Sequence, residues 1–159
     1  MPDESQLTHI DETGAARMVD VSAKTITVRY AIAAGRVVTT AEVIELLRGD
    51  SLPKGDALAV ARLAGIMGAK RTPDLIPLCH PIGLHSVTVD LEITGTAVEI
   101  TATTKTADRT GVEMEALTAV ATAGLALIDM IKAVDPAASI EAVRVLRKEG
   151  GKTGRWERP

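Results

Sequence analysis

The 159-residue chain has no phenylalanine, one tyrosine, one tryptophan and one cysteine. A core without large aromatics has to be filled by Val, Ile, Leu, Met and the many alanines, and small side chains let backbones approach closely. A single cysteine excludes an internal disulfide and fits a reducing, cytoplasmic setting. Basic excess is missing too: the formal charge is −3, which argues against a general nucleic-acid binder or a membrane-surface protein. The charge-free run Ala116–Ile128 is bounded by Glu115 and Asp129 and falls short of the about 20 apolar residues a bilayer core needs, so no membrane span is expected. No apolar stretch opens the chain as a signal peptide would, and neither repeats nor low-complexity linkers interrupt it. The length suits one domain over residues 1–159, with 1–6 and 155–159 expected to be flexible ends.

What is present reads as a succession of short elements. Ile26, Val28, Tyr30 and Ile32 alternate with Thr25, Thr27, Arg29 and Ala31, the period of a half-buried strand over 25–38, broken near Gly35. On that phase Arg29 lies on the face opposite the core. Thr39-Thr40-Ala41-Glu42 offers a cap with an early acid to a short helix ending at Gly49. Asp56 does the same for a helix from Ala57 to about Lys70, with Leu58, Ala61, Ile66 and Met67 turned inward. Pro73, Pro77 and Pro81 argue against any helix in 69–81 and hold His80 in a stiff loop. Val87, Val89, Leu91 and Ile93, a turn at Thr94-Gly95-Thr96, and Val98, Ile100 and Ala102 make a hairpin. A long helix over Gly111–Val134 and a strand from Ile140 to about Leu146 follow. The middle of that helix is apolar on all sides, which one sheet cannot bury, so another copy or a neighbouring subunit is expected against it. The order β-α-α-β-β-α-β places the chain in the α+β class as a ferredoxin-like two-layer sandwich, an antiparallel sheet with helices packed on one face.

Candidate chemistry sits at element ends. Asp129 and Lys132 are three apart and share a helix face, which suits either a surface ion pair worth about half a kcal/mol or an acid/base pair. Arg29, Lys54, His80, Arg109, Lys132, Lys148 and Lys152 all fall at boundaries or loops of an otherwise acidic chain. Like charges ~4 Å apart repel by about 4 kcal/mol at an effective dielectric of 20, so their convergence requires an anion, and a triphosphate is a natural candidate. Gly150-Gly151-Lys152-Thr153-Gly154 offers backbone N–H groups to phosphate oxygens but lacks the spacing of a P-loop. His9, Cys79, His80 and His85 lack the spacing of a zinc site, so no metal is expected. Cys79 and His80 are adjacent on an extended loop and point to opposite sides, which disfavours a His-activated cysteine nucleophile.

Four ordered motifs go further: Met18-Val-Asp-Val-Ser22, Asp74-Leu-Ile-Pro-Leu-Cys-His-Pro81, Thr110-Gly-Val-Glu-Met-Glu-Ala-Leu117 and Asp129-Met-Ile-Lys-Ala-Val134. Together they resemble the molybdenum cofactor biosynthesis protein C family, the cyclic pyranopterin monophosphate synthases, over about residues 6–154. The resemblance implies a cytoplasmic lyase acting on phosphorus–oxygen bonds, which converts (8S)-3′,8-cyclo-7,8-dihydroguanosine 5′-triphosphate to cyclic pyranopterin monophosphate and diphosphate. It implies no cofactor, a nucleotide-derived small-molecule substrate, and a homohexamer, a trimer of dimers, with sites at subunit interfaces. Carried over by motif, Asp129 is the central acid/base residue with Lys132 beside it, and Lys54 and Lys148 complete the catalytic set. Leu78, Cys79, His80, Glu113, Met114 and Glu115 line the substrate, and Arg29 and Lys152 hold phosphates. One departure is Ala107-Asp108-Arg109 before Thr110, where the family pattern has Thr-Gly-Lys, so the charge is kept in a different geometry. The alternatives are a catalytically silent phosphate-ligand-binding module on the same scaffold and a zinc-dependent nucleotide hydrolase.

Overall fold

The computed structural model describes residues 7–49 and 56–159. In chain order the elements are β1 (Thr27–Val38), α1 (Ala41–Arg48), α2 (Ala57–Lys70), α3 (Thr72–Leu75), β2 (Leu84–Thr94), β3 (Ala97–Asp108), α4 (Glu113–Ile131), β4 (Ser139–Glu149) and β5 (Trp156–Glu157). The sheet runs β2-β3-β1-β4-β5 with antiparallel pairing throughout. Helices α2 and α4 pack side by side and onto the sheet, giving the ferredoxin-like sandwich that the element order predicts. The expected caps form: Thr40 Oγ1 accepts from the Val43 N–H at 3.3 Å, and Asp56 Oδ1 from the Ala59 N–H at 3.0 Å. At the exit of β1 the Thr39 hydroxyl donates to Asp135 Oδ2 at 2.7 Å, both side chains buried, and fastens the strand to the segment after α4.

The phase of β1 is the reverse of the one its large residues suggest. Ala31, Ala33 and Val37 are fully buried, whereas Ile26 and Val28 are 54% and 60% exposed. The cause is how closely α4 lies on the strand. A Cβ added at Gly35 would stand 2.8 Å from Val120 Cγ1, so the helix-facing row carries Ala31, Ala33 and Gly35 where α4 lies closest, and Ile26 and Val28 are turned to the open face. Arg29 therefore belongs to the helix-side row, not the opposite one. Nor does β1 break at Gly35: the strand is continuous, and two irregularities fall in its register with β4, between Ile32 and Ala33 and between Ala34 and Arg36.

The same close packing corrects two further expectations. On α2 the buried residues are Ala57, Ala61, Gly65, Gly68 and Ala69, and Met67 is 60% exposed, because the helix turns its smallest residues to α4. The facing stripe Ala116, Ala119 and Ala123 of α4 is thus covered from within the chain, leaving Leu125 outward. Prolines do not exclude a helix from 69–81 either. Pro73 sits in the first turn of α3, where its missing N–H has no partner to lose, and Thr72 Oγ1 donates to Ala69 O at 2.9 Å to join α3 to α2. In the tail, Trp156 and Glu157 pair with Lys148 and Arg147 of β4.

Candidate active site

After α3 the chain runs extended under Pro77 and Pro81, and this brings Leu78, Cys79 and His80 alongside the N-terminal end of α4. There they line a cavity of about 770 Å3 together with Gly111, Glu113 and Met114. Its other wall is the N-terminal arm, through His9, Val19 and Lys24. That volume lies in the range of small-molecule sites. His80 Nε2 stands 2.5 Å from Val19 O. A carbonyl only accepts, so Nε2 carries the proton and a neutral ring keeps its lone pair on Nδ1.

Two clefts adjoin this cavity. One, of about 200 Å3, lies between Lys24, Arg29, Lys148, Glu113 and Gly150; the other, of about 560 Å3, between Lys24, Arg29, Lys152 and Thr153. Arg29 reaches them because β1 carries it on the helix-side row, beyond the N-terminus of α4. Its Nε donates to Asp108 O at 3.2 Å and its Nη2 to Arg109 O at 3.4 Å. Gly150 and Gly151 take φ values of 102° and 72°, and a Cβ at Gly151 would lie 2.4 Å from Arg29 Nη1. Only glycines let that turn close on the guanidinium. Lys148 Nζ is 3.9 Å from Glu113 Oε1. Among the described residues no carboxylate pairs with Lys24, Arg29 or Lys152. These cations, beside the orphan N–H groups of the α4 terminus, make the corner a seat for a polyanion.

Glu115 is one turn into α4 and 2% exposed. It lies behind Cys79 and does not face the cavity: Cys79 Sγ is 3.8 Å from its Oε1, and its Oε2 has no hydrogen-bond partner. Burial pushes the Glu115 carboxyl up to about 7, with the charge of Glu113 adding to the rise. Burial, followed by the Glu115 charge, likewise lifts the Cys79 thiol to about 11. Cys79 therefore stays a neutral thiol at neutral pH, which is incompatible with a resting thiolate nucleophile.

Asp129 and Lys132 do form a pair, Nζ to Oδ1 at 2.8 Å, with both side chains more than half exposed. They occupy the far end of α4. From Glu113 to Asp129 the helix rises about 24 Å at 1.5 Å per residue, so one protomer does not bring this pair to the cavity. Lys54 lies outside the described residues. His85, on β2, accepts from the Ala107 N–H at 3.3 Å, and among the described residues no three His, Cys, Asp or Glu side chains gather as a metal site. Sequence reasoning missed Lys24, which lines the cavity and both clefts. A signal for it was present: Asp20 Oδ1 accepts from the Ser22 N–H at 2.9 Å, an Asp-x-Ser turn that sets the lysine two residues on.

Comparison with known proteins bears on the family of the chain. The model of the MoaC family matches residues 18–151. A cyclic pyranopterin monophosphate synthase of Streptomyces avermitilis is 65% identical over 99% of this chain and 92% of its own length. One from Streptomyces griseus is 66% identical over 98% and 88%. Cyclic pyranopterin monophosphate synthase 2 of Mycobacterium tuberculosis is 60% identical over 96% and 92%. Since the matched segment holds both ends of α4, the Leu78–His80 loop and the Gly150–Gly151 turn, the chain belongs to the MoaC family.

Proposed function

We propose that this protein is a cyclic pyranopterin monophosphate synthase of molybdenum cofactor biosynthesis. It takes (8S)-3′,8-cyclo-7,8-dihydroguanosine 5′-triphosphate to cyclic pyranopterin monophosphate and diphosphate. The observation that carries the reading is the joining, at one end of α4, of a cavity lined by Leu78, Cys79, His80, Glu113 and Met114 with clefts lined by Arg29, Lys148 and Lys152. A ring system with a triphosphate tail fits that pairing of a largely apolar pocket and a cationic corner. Closing the cyclic phosphate forms a bond from a sugar oxygen to the α-phosphorus and breaks the one to the departing diphosphate, on which negative charge develops. Lys54, Lys148, Arg29 and Lys152 stabilise that charge. The ring opening and reclosure call for proton transfers, which are assigned to Asp129 with Lys132 beside it.

The two halves stand about 24 Å apart on α4, so the reading requires a second copy. Two protomers joined by a two-fold axis near the middle of α4, with the exposed Leu63, Met67 and Leu125 between them, would bring Asp129 of the partner subunit to the Leu78–His80 end. Three such dimers make the homohexamer, and the setting is the cytoplasm. The test is Asp129→Asn. It should fold and assemble as the native chain does, by circular dichroism and light scattering, yet lose nearly all product. Full activity in that variant would overturn the role of Asp129, and a monomeric native enzyme with full activity would overturn the shared site.

A further inference from the structure

We propose that the segment Arg155–Arg158 is a clasp on the end of β4 and that Trp156 is the positioning residue of Lys148. What Lys148 does there rests on the synthase reading; the geometry does not. Strand β5 pairs with β4 only at Arg147 and Lys148. The Arg158 N–H, donating to Leu146 O at 2.9 Å, and the Gly150 N–H, donating to Gly154 O at 3.1 Å, bracket that pairing. Trp156 stands opposite Lys148 on one side, and fully buried Ala31 stands opposite it on the other. Directly opposed residues of antiparallel strands turn their side chains to one face with Cβ atoms about 5 Å apart, so all three share the helix-side row. From that row Lys148 brings Nζ to 3.9 Å from Glu113 Oε1. The Ala31 methyl is too small to restrain a flexible four-carbon stem, and the indole is the bulky side chain on the other flank.

The indole is itself held. The Arg158 guanidinium lies 5.8 Å from the centre of its ring, and Arg158 Nε donates to Val145 O at 2.6 Å. On the open face Arg155 Nη2 donates to Glu157 Oε1 at 2.7 Å, and its Nε is 3.6 Å from Glu149 Oε1. Arg147 Nε donates to the same Glu149 oxygen at 3.0 Å, and its guanidinium lies 5.7 Å from the centre of the Tyr30 ring. Each exposed pair contributes little alone. Together they fasten β5 to β4 and β1. They also engage the Glu149 carboxylate on the face opposite Lys148. The clasp is local: among the described residues the β4 edge from Ser139 to Arg144 has no strand against it, whereas the clasped end carries Lys148, Glu149 and Gly150 at the cleft.

The experiment is a double-mutant cycle on the full chain with Lys148→Ala, Trp156→Ala and both together, and Trp156→Phe alongside. It is read by turnover of the cyclised dihydroguanosine triphosphate and by calorimetric titration of inorganic tripolyphosphate. Trp156→Ala should lower kcat about ten-fold, as for a misplaced charge-stabilising group, with a smaller change in KM. Trp156→Phe keeps bulk beside the lysine and should stay within about two-fold of native. The indole is 37% exposed, so both Trp156 variants should melt as the native chain does. On the Lys148→Ala background Trp156→Ala should add nothing. A kcat within about two-fold of native in Trp156→Ala, or additive losses in the double variant, overturns the positioning role. Amide hydrogen exchange tests the clasp without substrate: Arg158→Ala should speed exchange over residues 146–158 and leave α2 and α4 unchanged, and unchanged exchange over 146–158 overturns it. If the native chain shows no turnover, the synthase reading falls and tripolyphosphate affinity takes the place of kcat. A loss in Trp156→Ala that vanishes on the Lys148→Ala background then sustains the positioning role, and its persistence or absence overturns it.

Discussion

Replacing Glu115 by Gln should make the protein more stable, and by an amount that depends on pH in a way the site dictates. In the unfolded chain the carboxyl ionises near 4.5; in the fold, burial moves it to about 7. Below pH 4.5 it is protonated in both states and makes no difference between them. Between 4.5 and 7 the unfolded chain releases a proton that the native one keeps, so native stability falls as pH rises. Above 7 the penalty is complete. A rise of that size at 1.36 kcal/mol per pKa unit is about 3 kcal/mol. The geometry agrees, since an ionised carboxylate here has one oxygen near the Cys79 thiol and the other without a partner. The thiol is lifted to about 11, so it stays a donor through this window and adds no titration of its own. Glutamine keeps the shape without the charge, and because it adds an N–H2 that also needs acceptors, 3 kcal/mol is the upper bound of the gain. Urea unfolding followed by circular dichroism from pH 4 to 9, at one protomer concentration, gives both curves. They should meet near pH 4.5 and diverge to a constant gap above 7. Parallel curves for the native protein and Glu115→Gln would refute the buried, proton-holding carboxyl.

Two further predictions concern the packing that sets the site. A Cβ at Gly68 would lie 2.4 Å from Thr122 Oγ1 and 2.7 Å from Thr122 Cβ, an atom that no rotamer change moves, so Gly68→Ala should lose about 1–3 kcal/mol. Adding Thr122→Ala removes Oγ1 and Cγ2 but leaves the Cβ, so it should return only part of the loss, and simple additivity of the two changes in chemical denaturation would contradict the close α2–α4 contact. Thr39→Val keeps the volume but removes the hydroxyl that donates to buried Asp135, which should cost about 1–3 kcal/mol and lower the melting temperature by several degrees. Thr39→Ser should retain nearly all stability, and an equal loss in both variants would assign the effect to packing.

Element positions were legible because their signals are local. Thr40 and Asp56 are cap residues whose chemistry is the same wherever the helix packs, and the alternation of Val98, Ile100 and Ala102 carries its own period. The face of β1 was not legible. Ile26, Val28, Tyr30 and Ile32 are the bulkier set, and hydrophobicity alone assigns them inward. What decides the matter is the distance between α4 and the strand, fixed by Gly35 against Val120 and by the Gly65 and Gly68 contacts of α2 with α4. Those are pairings between residues more than fifty positions apart, and no window of sequence contains them. Met67 on α2 was misplaced for the same reason: the smallest residues, not the most apolar, mark the buried stripe of a helix packed this closely.

The site divides along the same line. Leu78, Cys79, His80, Glu113 and Met114 come from two motifs that the fold superimposes, and they share one cavity. Asp129 and Lys132 come from an equally clear motif yet stand at the opposite end of the helix that begins at Glu113. A motif names a residue without naming the copy of the chain that delivers it. In a lone protomer the Asp129–Lys132 pair is solvated on both members, and such a pair contributes a few tenths of a kcal/mol and differs little from any exposed ion pair. Proton transfer at a reacting ring needs the pair desolvated and held against substrate, and α4 alone provides neither. Both requirements are met at once if a second helical layer covers it, which makes the exposed apolar residues Leu63, Met67 and Leu125 part of the same argument as the carboxylate. The surface that looks like unfinished packing and the proposed acid/base pair, which alone is an ordinary surface bridge, then have one explanation.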